Sequence, residues 1–209
     1  MDFGVFNSCI EGGFDHLSLL LLEDEGIDPE AGGLHRELRK IKKLFLENTV
    51  EDILTGIELL MQEWNWRLHL LASITLMFLD DIYSQRISVR FWKTIYEGSW
   101  VSPQILVVLS KKDREFVRRG KEILESDSPV VQIQRTPLPK VVVDYYRSAS
   151  ERARQFSFEE EYKVRTALDY LIFGRIDETI HSIGGRKAKQ WNEKLEKLIK
   201  KNTFTLEEV

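Results

Sequence analysis

Two consecutive stretches of apolar and polar positions predict a helix pair in the first half of the chain. In residues 49–64 apolar side chains recur at every third or fourth position from Val50 to Trp64, which places them on one stripe of an amphipathic helix. Residues 65–80 are apolar almost throughout, so a helix there must be covered on most sides. A helix pair with a buried second member is the unit of α-solenoids and of helical bundles. We therefore expect a mainly all-α fold.

Residues that favour helix ends divide the remaining chain into further helices. Gly120 lies on an apolar helix face, which predicts a close helix crossing, and Gly174 is expected to end a helix. We expect Gly184 and Gly185 to close a short turn before a last helix at 186–201. The expected helix starts or caps are Asp15, Thr49 (with Asp52 as a capping box), Ser88, Ser102, Asp113 and Ser157 (with Glu160).

The helical pattern breaks at Asp127. The following residues are rich in β-branched side chains and contain Pro137 and Pro139, so we expect one short extended segment near 128–144. The 209 residues are predicted to form a single helical domain. Its expected subregions are an N-terminal helix and acidic loop (1–33), helix-pair repeats (34–126), an extended linker (127–145) and C-terminal helices (146–209).

An internal similarity runs through the first two helix pairs. Aligning residues 65–81 with 99–115 superposes Trp66 on Trp100, 34 positions later, and brings many apolar positions into register. Over about residues 34–125 the pattern resembles HEAT-like repeats, which implies a curved stack of helix pairs. An irregular helical bundle is the alternative. The core residues expected from these stripes are Ile53, Ile57, Trp64, Trp66, Leu71, Trp92, Trp100, Leu168 and Trp191.

Composition narrows the class of protein. With 43% hydrophobic and 31% charged residues the chain has an ordinary globular composition, and its net charge of −4 creates no general demand for a polyanion. The longest apolar stretch, 68–79, is interrupted by polar residues, so no membrane association is expected. Cys9 is the only cysteine, and the first residues lack the positive charge of a signal peptide. We expect a cytoplasmic protein.

No residue pattern predicts catalysis. Glu178 and His181 form a single E-x-x-H pattern, whereas di-metal helical bundles use two copies of it. Asp80 and Asp81 are adjacent at the end of the most buried helix, but neighbouring helical positions point about 100° apart. Whether either pair binds a metal stays open. We expect no catalytic residue, no resident metal and no cofactor, and the sequence leans against an enzyme without deciding the question.

Basic helix faces are the clearest functional pattern. Arg36, Arg39, Lys40 and Lys43 are spaced as one stripe of a helix, and the last helix, 186–201, carries a local net charge of +5. Converging faces of this kind could follow a phosphate backbone. The candidate polyanion-binding residues are Arg36, Arg39, Lys40, Lys43, Arg186, Lys187, Lys194 and Lys197.

Two functional hypotheses follow from the sequence. The first is a non-enzymatic protein–protein interaction module, an adaptor or an inhibitor-type binder, with a partner that the sequence does not name. The alternative is a nucleic-acid-associated protein that uses the basic helix faces. Lysines also occupy solvated helix faces for solubility alone, so the sequence favours the first hypothesis.

Overall fold

The computed structural model describes residues 2–23, 33–63, 65–132, 149–176 and 183–206, and over these residues the protein is all-α, as predicted. They contain ten α-helices and no strand. The helices are α1 (Asn7–Glu11), α2 (His16–Leu21), α3 (Leu34–Glu47), α4 (Val50–Gln62), α5 (Trp66–Phe78), α6 (Asp81–Tyr96), α7 (Ser102–Lys112), α8 (Phe116–Glu125), α9 (Ala149–Phe173) and α10 (Ile183–Lys200), and a 3₁₀ turn at Gly4–Phe6 precedes α1.

Two of the predicted helix caps are confirmed. The Thr49 hydroxyl accepts a hydrogen bond from the Asp52 N–H at 3.2 Å, and the Asp52 carboxylate accepts one from the Thr49 N–H at 3.3 Å. This is a reciprocal capping box at the start of α4. At the start of α2 the Asp15 carboxylate accepts from the Ser18 N–H at 3.1 Å. The bonds at these two caps join residues three positions apart, which is why the sequence could predict them.

The second helix of each pair forms the centre of the core. In α5 every residue from Leu68 to Phe78 is buried, and in α7 every residue from Ser102 to Leu109 is buried. The core that these helices organise extends from Phe6 to Leu195. The expected core residues that the structure buries are Ile53, Ile57, Leu71, Trp92, Leu168 and Trp191.

The remaining expected core tryptophans differ from this group. Trp100 is 45% exposed, so its assignment to the core was wrong. The reason is its position in the connection between α6 and α7, where no helix stripe turns it inward. Trp66 is partly buried against the core, at the first position of α5. Trp64 lies outside the described residues.

The two helix pairs pack on one another in register. Helix α4 packs on α5 and α6 packs on α7, so that each pair is formed by consecutive helices. The first helices of the pairs, α4 and α6, also contact each other, and so do the second helices, α5 and α7. The inner helix α7 then packs against both α9 and α10. Three layers of helices therefore follow one another along the core.

Helix α6 begins seven residues earlier than expected. It starts at Asp81, and Ser88 lies buried inside it instead of capping it. The Ser88 hydroxyl donates to the Ser84 carbonyl at 2.6 Å, a bond that lets serine occupy a helix interior. The next residue, Val89, is 59% exposed and lies on the solvent side of α6.

Two other expected serine caps were also wrong. Helix α9 runs continuously through Ser157 from Ala149. Ser102 is the first residue of α7, and its hydroxyl donates to the Ser99 carbonyl at 2.5 Å instead of accepting from the helix. Serine favours caps because it competes for backbone groups, but it satisfies its hydroxyl equally well on a carbonyl of the preceding residues.

The segment after α8 is non-helical as far as it is described. The backbone N–H groups of Val130 and Val131 both donate to the Glu161 carboxylate on α9, at 2.7 and 2.8 Å. The Gln132 N–H donates to the Tyr96 carbonyl at the end of α6, at 2.5 Å. These bonds tie residues 126–132 to two helices. The remainder of the expected extended segment, 133–144, lies outside the described residues.

Two glycines permit close contacts between helices. The close crossing predicted at Gly120 is confirmed, because a Cβ placed there would lie 2.5 Å from Cδ1 of Ile172 on α9. Gly184 was expected to end a turn, but it lies inside α10. A Cβ at Gly184 would lie 2.0 Å from the carbonyl oxygen of Lys163 on α9. Glycine is therefore required there by the neighbouring backbone and not by a turn.

Among the helices that the structure describes, none combines the length and the apolar character that a membrane crossing requires.

A buried histidine connects the two helix pairs. His69 on α5 is 5% exposed, and its Nε2 lies 2.7 Å from the Glu63 carbonyl. Because a carbonyl only accepts, Nε2 carries the proton and Nδ1 accepts from the Ser99 hydroxyl at 2.8 Å. Burial lowers the pKa of His69 from 6.5 to about 4. The imidazole is thus neutral in the folded protein at pH 7.

We expect this histidine to make the protein less stable in mild acid. The pKa of His69 is lower in the folded than in the unfolded chain, so the unfolded state binds the additional proton as the pH falls from 6.5 towards 4. Its contribution to stability is complete above pH 6.5 and is lost below it. The free energy of unfolding should fall by about 2 kcal/mol between pH 7 and pH 5. Urea melts at both pH values measure this loss, and an equal pH dependence in His69→Gln would contradict it.

Candidate functional site

Glu37 binds two of the four basic candidates on α3. Its side chain is only 1% exposed, and its carboxylate accepts from Arg36 Nε at 3.0 Å and from Lys40 Nζ at 3.0 Å. Lys40 also donates to the Gly13 carbonyl at 2.7 Å. A buried carboxylate needs such partners because its desolvation is costly. Lys40 therefore has a structural role in holding α3 to the N-terminal segment, and Arg36 helps to neutralise Glu37.

The candidates on α10 do not form one continuous basic stripe. Lys194 donates to Glu23 at 2.6 Å and to the Leu21 carbonyl at 2.9 Å, which ties α10 to the end of α2. Lys187 lies over the Trp100 ring, with Nζ 5.5 Å from its centroid. Arg186 is half-buried and Lys197 is exposed. The expected continuous face is thus divided between internal contacts and solvent.

The basic faces of α3 and α10 meet only at the end of α10. There a cleft of about 460 Å³, here called the basic cleft, is lined by His35, Leu38, Arg39, Lys42, Lys201, Asn202, Thr203 and Thr205. Arg39 is the only sequence candidate in it, because Lys43 is exposed and pairs with Glu47 at 3.6 Å. Lys42 was not among the candidates, although its i+3 spacing from Arg39 was a usable signal. The proximity of Lys201 to α3 is a tertiary contact that no local pattern indicates.

A second pocket surrounds the exposed Trp100. This tryptophan pocket has a volume of about 210 Å³ and lies where α2, α7 and α10 meet. The Trp191 indole is 3% exposed and donates through Nε1 to the Leu20 carbonyl at 3.1 Å, which fixes one wall. The pocket is lined by Leu20, Leu21, Trp100, Val101, Gln104, Lys187, Gln190, Trp191 and Lys194.

Trp100 is held in place by a line of ring contacts. The rings of Trp66 and Trp100 meet edge to face, with centroids 5.2 Å apart, and His16 meets Trp66 in the same way at 5.3 Å. On its other side Trp100 carries the Lys187 ammonium. Contacts of this kind are worth about 0.5–1.5 kcal/mol each. The exposed ring is therefore supported by α2, α5 and α10 instead of moving freely in solvent.

Charged groups behind the pocket set its electrostatic character. Burial lowers the pKa of the Lys187 ammonium, and the charge of Lys163 lowers it further. Lys163 itself donates to the buried Glu160 carboxylate, whose pKa is raised by burial. In the pocket lining, Gln104 is 7% exposed and its Oε1 has no hydrogen-bond partner among the described residues. The pocket thus combines cationic groups with one unused acceptor.

Metal and nucleophile candidates gain no support from the geometry. In the described part of the chain, no three or more His, Cys, Asp or Glu side chains cluster as metal ligands. Asp81 pairs with Arg114 at 3.3 Å and Asp80 is exposed. Cys9 is buried, and burial raises the pKa of its thiol to about 11, which disfavours the reactive thiolate. Glu178 and His181 lie outside the described residues.

Comparison of the chain with protein-family models, with curated proteins and with solved structures finds no significant match.

Proposed function

We propose that the protein is a non-enzymatic protein–protein interaction module that binds its partner through the tryptophan pocket. The observation that carries this proposal is the position of Trp100, 45% exposed beside Lys187 in a concave site. Tryptophan is enriched among the residues that dominate binding energy at protein interfaces. The chain has a core that could bury a large aromatic ring, yet the Trp100 ring is left about half in solvent. This exposure is the feature that an interface would use.

Preorganisation supports the same role. Trp100 is fixed between the Trp66 ring and the Lys187 ammonium, so binding does not need to order it. Immobilising a flexible interface side chain costs about 0.5–1.5 kcal/mol, and this site avoids most of that cost. An adaptor and an inhibitor-type binder would both benefit, and in either role we place the protein in the cytoplasm.

The lining of the pocket defines the chemistry of the partner. Lys187 adds positive charge to the rim, whereas the Lys194 ammonium is already paired with Glu23 at 2.6 Å. We therefore infer a partner segment that presents an apolar or aromatic side chain next to a carboxylate.

We propose that the scaffold consists of two HEAT-like repeats, α4–α5 and α6–α7. In a stack of repeats, equivalent positions in successive repeats lie side by side. Trp66 and Trp100 occupy equivalent positions in the sequence alignment, and their rings are in contact. The packing of α4 on α6 and of α5 on α7 also supports a stack over an irregular bundle.

A random peptide library displayed on phage tests the proposed partner chemistry. Selection on the protein should enrich peptides that combine an aromatic or large apolar residue with a neighbouring Asp or Glu. Synthetic versions should bind the parent and lose at least about tenfold in affinity for Trp100→Ala, because a central interface tryptophan contributes 2 kcal/mol or more. Fluorescence anisotropy of labelled peptides measures both affinities.

Phe173→Ala is the matched control for this experiment. Phe173 is 44% exposed and also lies against cations, with Arg175 4.8 Å from its ring centroid, but it is not part of the tryptophan pocket. Peptide binding should be unchanged in this variant. Selection of peptides without acidic residues, or equal losses in the two variants, would contradict the proposal.

The alternative nucleic-acid role has less support. Binding along a nucleic-acid duplex or single strand requires an extended row of cations beside the phosphates. Here Arg36 and Lys40 are instead bound to Glu37, and Lys194 is bound to Glu23. Two basic residues of α8 are also paired, since Arg118 binds both Glu115 and Glu122 and Arg119 lies 4.0 Å from Asp113. Within the predicted basic face, Arg39 lies in a cavity, the basic cleft, together with other cations.

A further inference from the structure

The basic cleft brings together cations that have no counter-ion among the residues that the structure describes. Arg39, Lys42 and Lys201 all line it, and none of the three makes an ion pair with a described residue. No acidic side chain is among the residues described as its lining. Other lysines on the surface do have a counter-ion, since Lys43 pairs with Glu47 and Lys111 pairs with Glu196. In a chain with a net charge of −4, three unpaired cations in one concavity indicate an anionic ligand.

The wall of the cleft formed by the turn after α10 is anchored to the core. Phe204 in this turn meets the Phe78 ring edge to face, with centroids 5.2 Å apart, and Phe78 in turn contacts Phe45 of α3 at 5.8 Å. The Thr203 N–H also donates to the Leu198 carbonyl at 3.1 Å. These contacts hold the turn beside α3, so the two walls of the cleft are fixed relative to each other.

We propose that the basic cleft binds the phosphate group of a small phosphate-bearing ligand. The Arg39 guanidinium offers a planar pair of donors that matches phosphate oxygens, and Lys42 and Lys201 add positive charge. The Thr203 hydroxyl in the lining is a further hydrogen-bond donor, whereas the Thr205 hydroxyl already donates to the Asn202 carbonyl at 2.8 Å.

The dimensions of the cleft favour a small ligand over a polymer. Its volume of about 460 Å³ lies within the range of small-molecule sites, about 300–1,000 Å³. A phosphate group occupies only part of this space, which leaves room for an organic group attached to it. The cations also converge on one space instead of forming the row that a nucleic-acid backbone would need.

Calorimetric titration with inorganic phosphate and with adenosine monophosphate tests this site. Both probes should bind at a single site, with the nucleotide tighter because its organic part fills the remaining space. In the double variant Arg39→Gln, Lys201→Gln both affinities should fall at least about tenfold, since each change removes a charged hydrogen bond. Arg39→Lys, which keeps the charge and loses the planar donor pair, should show a smaller loss. Lys189→Gln, an exposed position on α10 outside the cleft, should bind like the parent.

Three outcomes would overturn the proposal. They are the absence of saturable binding of either probe up to about 10 mM, affinities in the double variant that equal those of the parent, and tighter binding of a random DNA duplex than of the mononucleotide through Arg39 and Lys201. The site is independent of the tryptophan pocket, so Trp100→Ala should bind both probes normally. Failure of the peptide experiment and failure of the phosphate experiment are therefore distinguishable.

Discussion

Replacing Gly184 by alanine should destabilise the protein by about 3 kcal/mol or more, at the upper end of overpacking effects. A Cβ at this position would lie 2.0 Å from the carbonyl oxygen of Lys163 and 2.5 Å from its Cα. These are backbone atoms of α9, so no side-chain rotation relieves the contact and the two helices must separate. Alanine is otherwise the better helix former by about 1 kcal/mol, so helix propensity alone predicts the opposite sign. Urea denaturation followed by circular dichroism measures the change.

Gly120→Ala is the matched comparison. A Cβ there would meet Cδ1 of Ile172 at 2.5 Å and Cδ2 of Leu168 at 3.1 Å, which are the ends of flexible side chains. These side chains can shift, and the gain of about 1 kcal/mol in helix propensity offsets part of the cost. We expect a net loss within about 1 kcal/mol. Equal losses for the two variants would show that the α9–α10 contact at Gly184 is not tighter than the α8–α9 contact at Gly120.

Features of the fold that depend on local sequence were predictable. The stripe of α4 and the all-round apolar character of α5 indicated which helix would be central, and α5 is buried from Leu68 to Phe78. The Thr49 cap followed from the residues beside it. Helix starts at Ser88 and Ser157 were wrong because serine is compatible with both a cap and a helix interior. Gly184 was misread because its requirement for glycine comes from α9, which is distant in sequence.

In the candidate sites, too, features set by local sequence were predictable and features set by tertiary contacts were not. Periodicity placed Arg39 on an outward face of α3, but Lys201 reaches it only because the Phe204 ring anchors the following turn to Phe78. The expected stripe also contained Lys40, which the structure uses to neutralise Glu37. The alignment that paired Trp66 with Trp100 suggested two buried residues, yet Trp100 is exposed, since it lies in the connection between α6 and α7 and not on a helix stripe. Sequence periodicity thus identifies faces, whereas the pairing of those faces is decided by long-range packing.

Replacing Trp92 by alanine should cost about 4 kcal/mol or more in unfolding free energy. The indole is 2% exposed, it packs against the Phe116 ring at 5.9 Å, and its Nε1 donates to the buried Asp113 carboxylate at 2.7 Å. Truncation therefore leaves a cavity, which costs about 3–5 kcal/mol for a buried aromatic, and it also removes a donor from a buried carboxylate. Trp92→Phe separates the two effects, because it keeps most of the volume and should lose only about 1–3 kcal/mol.

Trp100→Ala provides the contrast that connects this stability argument to function. Trp100 is 45% exposed and contributes mainly its ring contact with Trp66, so its removal should cost about 1 kcal/mol in urea melts. The variant should therefore remain folded while it loses the peptide affinity expected of the tryptophan pocket. A loss of stability as large as that of Trp92→Ala would show that Trp100 is a structural residue, and the interaction site would then have to be sought elsewhere on the surface. A small loss of stability together with a large loss of binding is the combination that an interface residue produces, because its contacts stabilise the complex and contribute little to folding.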